Sequence, residues 1–251
     1  MRPVIGITAN FEYNGLEPSR LQSCLLAQYS DAVVAAGGVP LVLPVPPRHD
    51  AAMLDAMLAA CDGLLLSGGR DIDPRRYGAT EKHARTETLH PLHASFLFDL
   101  FARVEGRRTP TLAICLGHQI VHVARGGRLW QHVDDLELTP AIAHHLAIDD
   151  DAFHEVSVSP ESRLASVLGN LRLETNSRHH QAVDPQHAGR GLRGVAFAPD
   201  GVLEASEDMD GRFLLTVQWH PEFLIDRPEQ LALFETLVEE AGAHRAGTRV
   251  R

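Results

Sequence analysis

The chain has 251 residues, of which 44% are hydrophobic and 22% charged, and these values predict one globular α/β domain over residues 1–251. The net charge of −10 and the absence of a basic stripe exclude a nucleic-acid backbone as a partner. The three cysteines are widely spaced and no apolar run approaches the length of a membrane span, so we expect a cytoplasmic protein with no disulfide framework and no membrane contact.

The first half of the chain alternates predicted strands and helices. Strands are predicted at residues 4–9, 39–45, 63–67 and 111–114, and helices at 19–36, 50–61, 92–104 and 118–124. This alternation is typical of a mostly parallel sheet with helices on both faces, in which ligands bind beyond the carboxyl ends of the strands. Gly68, Gly69 and Cys115 follow such ends, and the polar segment 70–90 predicts a long loop near the mouth of the site.

The second half predicts a more antiparallel region. Alternating segments predict strands at 129–133, 154–159, 194–197, 203–205 and 213–217, with a polar turn at 206–211. An acidic loop is expected at 134–151, a closing helix at 228–241 and a frayed tail at 244–251.

Cys115 stands between the buried segment 111–114 and a helical pattern, with Gly117 two residues further on. This pattern indicates a nucleophile at a strand-to-helix turn, with sulfur in place of hydroxyl oxygen. The helix dipole favours a thiolate there, and the first free N–H groups of the helix can donate to an oxyanion beside the sulfur. The alternative interpretation is a buried structural cysteine.

A thiol nucleophile that acts on an amide needs a base, which a third group usually orients. His220 follows the apolar segment 213–217 at another predicted strand end. Glu222 is two residues further on, and Pro221 between them stiffens the turn. We therefore predict a triad of Cys115, His220 and Glu222, with a plain polar surface turn as the alternative for this segment.

Several stretches of the chain carry a resemblance to a known family. They are LLLSGGRDIDPRRYG (64–78), AICLGHQIVHVARGG (113–127), HEVSVSPESRLASVLG (154–169), TNSRHHQAVDP (175–185), GVLEASE (201–207) and VQWHPE (217–222). The second and the last resemble the class I glutamine amidotransferase-like superfamily. The others resemble its gamma-glutamyl-gamma-aminobutyrate hydrolase branch, peptidase family C26, and the resemblance covers nearly the whole chain.

This resemblance implies a flavodoxin-like three-layer α/β/α fold with a mostly parallel central sheet and a small antiparallel extension. It implies Cys115 as nucleophile, His220 as general base and acid, and Glu222 as the carboxylate that orients the imidazole. The implied activity is hydrolysis of the γ-glutamyl amide bond of a small γ-glutamyl amine, such as γ-glutamyl-γ-aminobutyrate, through a γ-glutamyl thioester.

The resemblance also implies an oxyanion hole from the backbone N–H groups of Gly69 and Leu116, where glycine permits a close backbone approach. Structural roles are the alternative to substrate contact for the two adjacent histidines of the TNSRHHQAVDP stretch. The expected substrate-binding residues are Gly68, Gln119, His179 and His180.

The chain departs from the family's pattern at two places. The branch usually carries Arg, Asp and Glu on the helix before the nucleophile strand, where this chain has His93, Ala94 and Leu97. It often has Arg after the nucleophile, where this chain has Leu116. These changes leave the predicted triad intact and concern the identity of the substrate.

Two further functions stay open. One is a glutaminase subunit that delivers ammonia to a partner synthetase, and the other is a non-catalytic binding protein on the same fold. We expect a small-molecule γ-glutamyl substrate as partner and no cofactor, and a homodimer is left open.

The spacing of Cys115, His118 and His122 could bind a metal, but no acidic ligand completes the set, so we expect no metal and assign both histidines to helix packing. His144 and His145 are expected in a solvated loop. Two acidic residues could bind a substrate ammonium or serve as turn and capping residues: Asp71 and Asp73.

Overall fold

The computed structural model describes residues 1–17, 19–145 and 151–249, so parts of the predicted segments 134–151 and 244–251 lie outside the described residues. The described strands are β1 Val4–Thr8, β2 Asn10–Tyr13, β3 Leu21–Cys24, β4 Val39–Leu43, β5 Gly63–Leu66, β6 Thr111–Ile114, β7 Leu129–Trp130, β8 Ala152–Val158, β9 Arg172–Ser177, β10 Ala182–Val183, β11 Leu192–Phe197, β12 Leu203–Asp208 and β13 Leu214–Val217. The described α-helices are α1 Ala27–Ala35, α2 Ala51–Ala59, α3 Pro91–Arg107, α4 Leu116–Ala124, α5 Arg163–Leu168 and α6 Pro228–Arg249.

A nine-stranded sheet runs through the molecule in the order β4-β1-β5-β6-β13-β12-β11-β8-β9. The first five strands pair in parallel, and the remaining four are antiparallel to their neighbours. The prediction of a mostly parallel sheet with a small antiparallel extension is therefore confirmed. Because β6 and β13 are adjacent and parallel, their carboxyl ends meet at one edge of the sheet.

Helices cover both faces of this sheet and form two hydrophobic cores. One core contains apolar residues of α1, α5 and α6, and the other contains apolar residues of α2, α3 and α4. The central strands β5, β6 and β13 are buried at every position, as expected for parallel strands covered on both sides. Within the described residues, no helix is long and apolar enough to cross a membrane.

The predicted helix at 19–36 is wrong in its first part. Residues Leu21–Cys24 form β3, which pairs antiparallel with β2, and the helix begins only at Ala27. The helical spacing of apolar residues at 21, 24 and 25 is outweighed by a hairpin with β2, a pairing that local periodicity does not report.

Three other predictions need correction. β12 continues through Asp208 into the predicted polar turn, because Ser206 and Glu207 pair with Thr216 and Leu215 of the neighbouring strand. β7 is only two residues long, and a 3₁₀ helix follows it at Val133–Leu136. The tail predicted to fray from 244 is helical to Arg249, and the guanidinium of Arg245 binds the Asp62 carboxylate at 3.1 Å.

Candidate active site

Cys115 lies at the turn between β6 and α4. Its φ of +52° and ψ of −102° are rare for a residue with a side chain, so the backbone is strained there. Its N–H donates to the carbonyl of Val217 (2.8 Å), and its own carbonyl accepts from the N–H of Gln119 (3.1 Å). Gly117 is required in this turn because a Cβ there would lie 2.6 Å from the carbonyl oxygen of Leu66.

His220 and Glu222 follow β13, directly beside the Cys115 turn. Pro221 begins a short 3₁₀ helix, Pro221–Phe223, which brings the two side chains together. Nδ1 of His220 lies 2.6 Å from Oε1 of Glu222, and the Glu222 side chain is fully buried. The carboxylate therefore fixes the orientation of the imidazole from within the protein.

Asn176, which the sequence interpretation did not single out, holds the backbone of His220. Its side-chain amide donates to the His220 carbonyl, and its side-chain oxygen accepts from the His220 N–H, both at 3.0 Å. The residue belongs to the TNSRHHQAVDP stretch, and its complete burial at the end of β9 gives it a structural reason to be asparagine.

Two negative groups act on His220. Burial disfavours the charged imidazolium, but the charges of Glu222 and Cys115, together with hydrogen bonds to both, raise the pKa of His220 well above its ordinary value. The cysteine and the imidazole are therefore close enough to interact, and their electrostatics favour a thiolate–imidazolium pair.

Gly68 lies against this pair. A Cβ at Gly68 would lie 2.8 Å from Cε1 of His220 and 3.5 Å from the Cβ of Cys115. The N–H of Gly68 donates to the hydroxyl of Tyr29 at 2.8 Å. Tyr29 is a second residue that the sequence did not indicate: burial, followed by the negative charge of Glu222, raises the pKa of its hydroxyl well above the ordinary value, so the hydroxyl stays protonated.

Gly69 and Leu116, the predicted oxyanion residues, are in contact. A Cβ at Gly69 would lie 2.7 Å from Cδ2 of Leu116, so the two backbone segments approach each other closely. Leu116 is the first residue of α4, and the N–H groups of a first helical turn have no partner within the helix. This geometry suits two convergent donors beside the sulfur.

The other predicted substrate-binding residues are less open. Gln119 is buried, and its amide donates to the carbonyl of Gln181 (3.1 Å) and to the side chain of Gln218 (3.2 Å). His180 pairs with Asp71 of the 70–90 loop at 3.1 Å, and this hydrogen bond raises the pKa of the imidazole.

The 70–90 loop is anchored to the protein. Its ends are bridged by Asp71 and Thr88, and Ile72, Tyr77 and Leu89 are buried in the core that contains α2, α3 and α4. The loop also contains a 3₁₀ helix, Pro74–Tyr77, which Asp73 caps by accepting from the N–H of Arg75, so the capping alternative describes the role of Asp73 in this structure.

His118 and His122 pack within the protein, as expected. His118 pairs with Thr216 at 2.7 Å and His122 with Ser206 at 3.1 Å, and both side chains are fully buried. At the departures from the family's pattern, three residues occupy buried positions of α3. They are His93, Ala94 and Leu97.

His144 and His179 occupy positions that the sequence did not predict. His144 was expected in solvent, but it is fully buried and pairs with Asp200 at 2.8 Å. His179, expected to contact substrate, lies in the interior with 4% of its surface exposed, 3.5 Å from the carboxylate of Glu204. A local sequence pattern cannot report either burial, because the partners are distant in the chain.

A cysteine at a strained strand-to-helix turn, beside a histidine–glutamate pair at the next strand end, defines the class I glutamine amidotransferase-like superfamily on this three-layer fold. A Thermoplasma acidophilum protein, provisionally described as the amidotransferase-type component of a GMP synthase, has the same fold. Its TM-score is 0.65 at 13% identity, and the match covers 99% of this chain and 98% of the other.

The peptidase C26 family model matches residues 3–222, and the chain belongs to this family of cysteine-dependent amidotransferases and hydrolases. A Mycobacterium tuberculosis protein, Rv2859c, provisionally named a glutamine amidotransferase, is 36% identical over 248 residues, which are 97% of this chain and 76% of that protein. The gamma-glutamyl-gamma-aminobutyrate hydrolase PuuD of Escherichia coli is 31% identical over 233 residues, which are 88% of this chain and 86% of PuuD.

Proposed function

We propose that the chain is a hydrolase that cleaves the γ-glutamyl amide bond of small γ-glutamyl amines, with Cys115, His220 and Glu222 as its triad. The observation that carries this proposal is the convergence of the three side chains: the 2.6 Å pair of His220 and Glu222 lies beside a cysteine held at a strained turn. A purely structural cysteine does not require this strain or this partner.

In the first half of the proposed reaction, the Cys115 thiolate attacks the γ-carbonyl carbon and a C–S bond forms. The carbonyl oxygen becomes an oxyanion, to which the N–H groups of Gly69 and Leu116 donate. The imidazolium of His220 then gives its proton to the amide nitrogen, the C–N bond breaks, and the amine leaves. The product on the enzyme is a γ-glutamyl thioester.

In the second half, neutral His220 takes a proton from water, and the resulting hydroxide attacks the thioester carbonyl. Collapse of the tetrahedral intermediate breaks the C–S bond, which releases glutamate and regenerates the thiolate–imidazolium pair. Glu222 keeps Nε2 of the imidazole directed at the reacting atoms in both halves, because Nδ1 is engaged by its carboxylate.

The 31% identity to PuuD supports a γ-glutamyl amine as the substrate class. The 70–90 loop, which starts directly after Gly69, supports a leaving group larger than ammonia, because an anchored polar wall beside the oxyanion residues can contact such a group. We also propose a cytoplasmic location, where the three free cysteines remain reduced.

A glutaminase that supplies ammonia to a partner is the second candidate, favoured by the 36% identity to the provisional glutamine amidotransferase of Mycobacterium tuberculosis. It uses the same thioester chemistry. The two functions differ in leaving group and in whether a partner is needed, so a substrate panel separates them.

The proposed function is tested with the purified chain and a panel of γ-glutamyl amides, with glutamine as comparator. His220→Ala should abolish turnover because it removes both proton transfers, and Cys115→Ser should do the same. Cys24→Ser and His187→Ala are matched controls of the same residue types, and both should keep wild-type rates because these side chains lie outside the candidate site. Turnover by His220→Ala at a near-normal rate would contradict the proposed triad.

A further inference from the structure

Three histidines and one glutamate converge in the interior, in the antiparallel half of the molecule. His144 comes from the segment before residue 146, His154 from β8, His179 from the segment after β9, and Glu204 from β12. All four residues are buried, and one ligand-type atom of each lies within 4.8 Å of the others. The triad uses none of them.

The distances within this cluster do not correspond to hydrogen bonds. Oε1 of Glu204 lies 3.5 Å from Nδ1 of His144, from Nε2 of His154 and from Nε2 of His179. These four atoms are buried and have no hydrogen-bond partner among the described residues. Four unpartnered polar atoms around one point are costly in a protein interior unless something binds them.

The spacing matches a tetrahedral metal ion. Ligand bonds of about 2.0–2.1 Å to nitrogen and oxygen place neighbouring ligand atoms roughly 3.4 Å apart around a tetrahedral centre. A shared proton would instead bring a nitrogen and an oxygen to about 2.8 Å. The 3.5 Å separations agree with the first value.

The opposite ring nitrogen of each histidine has an acceptor. Nε2 of His144 lies 2.8 Å from the Asp200 carboxylate, Nδ1 of His179 lies 3.0 Å from the carbonyl of Gln181, and Nδ1 of His154 lies 3.3 Å from the carbonyl of Glu155. An N–H on that side leaves a lone pair on the nitrogen that faces Glu204. Metal-binding histidines are oriented in this way, through a carboxylate or a carbonyl behind the ring.

The buried charges agree with a divalent cation. Glu204 and Asp200 each carry one negative charge, and their side chains are 0% and 1% exposed. A divalent cation between them neutralises both. The other ionisable ring near the cluster is that of His118, whose pKa burial holds well below its ordinary value, so it adds no positive charge.

We propose that His144, His154, His179 and Glu204 bind one divalent transition-metal ion, of which Zn²⁺ fits best. Three imidazoles and one carboxylate in a tetrahedral arrangement are ligands typical of zinc, and four protein ligands in a closed interior leave no open position for catalysis. The site is therefore structural. It departs from the sequence-based expectation of no metal, and it does not depend on the proposed hydrolase function.

The metal would hold the antiparallel half against the candidate active site. Glu204 accepts the N–H of Gln218 through its backbone (2.7 Å), and Gln218 lies two residues before His220. Between His179 and Asn176, which holds the His220 backbone, Ser177 donates to the carbonyl of His144. Both connections link a ligand residue to the segment that carries the imidazole.

The test begins with the full chain, produced without a histidine tag in zinc-supplemented medium and analysed by elemental mass spectrometry. We expect about one zinc per chain. Replacement of the metal by Co²⁺ should give the strong visible absorption of a tetrahedral site. Metal removal by a chelator should lower Tm, and addition of zinc should restore it. Cys115→Ser should keep the full metal content, which separates this site from the triad.

Glu204→Gln and His154→Ala should lose the zinc, whereas the matched control His187→Ala should keep it, because His187 pairs with Asp184 far from the cluster. If both cluster variants fail to fold, the metal content, Co²⁺ spectrum and chelation response of the unaltered chain decide the matter. Less than about 0.1 zinc per chain after zinc supplementation, or equal zinc in all folded variants, would overturn the proposal.

Discussion

Gly68→Ala is the sharpest test of the geometry around His220. The added methyl carbon would lie 2.8 Å from Cε1 of His220, about 0.7 Å short of a normal contact of ~3.5 Å between carbon atoms. It would also lie 2.8 Å from the hydroxyl of Tyr29. The φ of Gly68 is outside the left-handed region, so alanine adds no backbone strain and the effect is steric.

The imidazole cannot yield freely, because Nδ1 is bound to the buried Glu222 at 2.6 Å. A displacement of roughly 0.5–0.7 Å should misalign Nε2 from the sulfur and the substrate. Since a misplacement of ~1 Å can cost about 100-fold, we expect kcat on a γ-glutamyl amide to fall by about 10- to 50-fold. Tm should change little, because the methyl group sits at the edge of the site.

The measurement is steady-state kinetics of both proteins, together with the rate at which iodoacetamide alkylates Cys115. Both rates should fall, because the imidazole supports the thiolate. The matched control is Gly106→Ala in α3, where an added Cβ meets no atom within 4 Å, and it should leave both rates unchanged. Wild-type kcat and alkylation rate in Gly68→Ala would refute the proposed contact between glycine, imidazole and sulfur.

Three further predictions follow from single contacts. Iodoacetamide should label Cys115 before Cys24 or Cys61, as judged by peptide mass spectrometry, because burial raises the pKa of both other thiols to about 11; earlier labelling of either would contradict the assignment. Asn176→Ala should lower kcat by about tenfold or more while circular dichroism stays native, since the two 3.0 Å bonds to the His220 backbone are lost; unchanged kcat would count against that role. Burial lowers the pKa of His93 to about 4, below its unfolded value of about 6.5, so the unfolded chain binds more protons between these values and stability falls by about 1.4 kcal/mol per pH unit as pH drops through this window. Urea unfolding at pH 7 and pH 5 should show a smaller loss for His93→Gln than for the original chain, and equal losses would be the contrary result.

The elements that the sequence predicts well are those whose surroundings are uniform. β5, β6 and β13 are buried on both faces, so their apolar runs report their position directly. The β2–β3 hairpin was missed because its pairing outweighs a helical spacing of apolar residues. β12 was predicted too short because it carries polar residues, including Ser206 and Glu207, inside the sheet.

The candidate site follows the same rule. Cys115, His220 and Glu222 could be predicted because each stands beside a recognisable strand end, and the parallel pairing of β6 and β13 brings those ends together. Tyr29 could not be predicted, since it lies in α1 and reaches Gly68 only through the fold.

The histidine–glutamate cluster was missed for a related reason. Its four members come from separate segments with no short spacing between them, so no ligand motif exists along the chain. His144 was accordingly expected in solvent, whereas the short spacing that does suggest metal ligands belongs to Cys115, His118 and His122.

The central claim is that Cys115 and His220 hydrolyse an extended γ-glutamyl amide without a partner protein. The most direct measurement compares kcat/KM for γ-glutamyl-γ-aminobutyrate and for glutamine, with the isolated chain and with His220→Ala. We predict activity in the isolated chain, a preference for the extended amide of more than about tenfold, as one or two additional methylenes can supply, and no turnover in the variant. Hydrolysis of glutamine alone, activity only after a second protein is added, or full turnover in His220→Ala would contradict the claim.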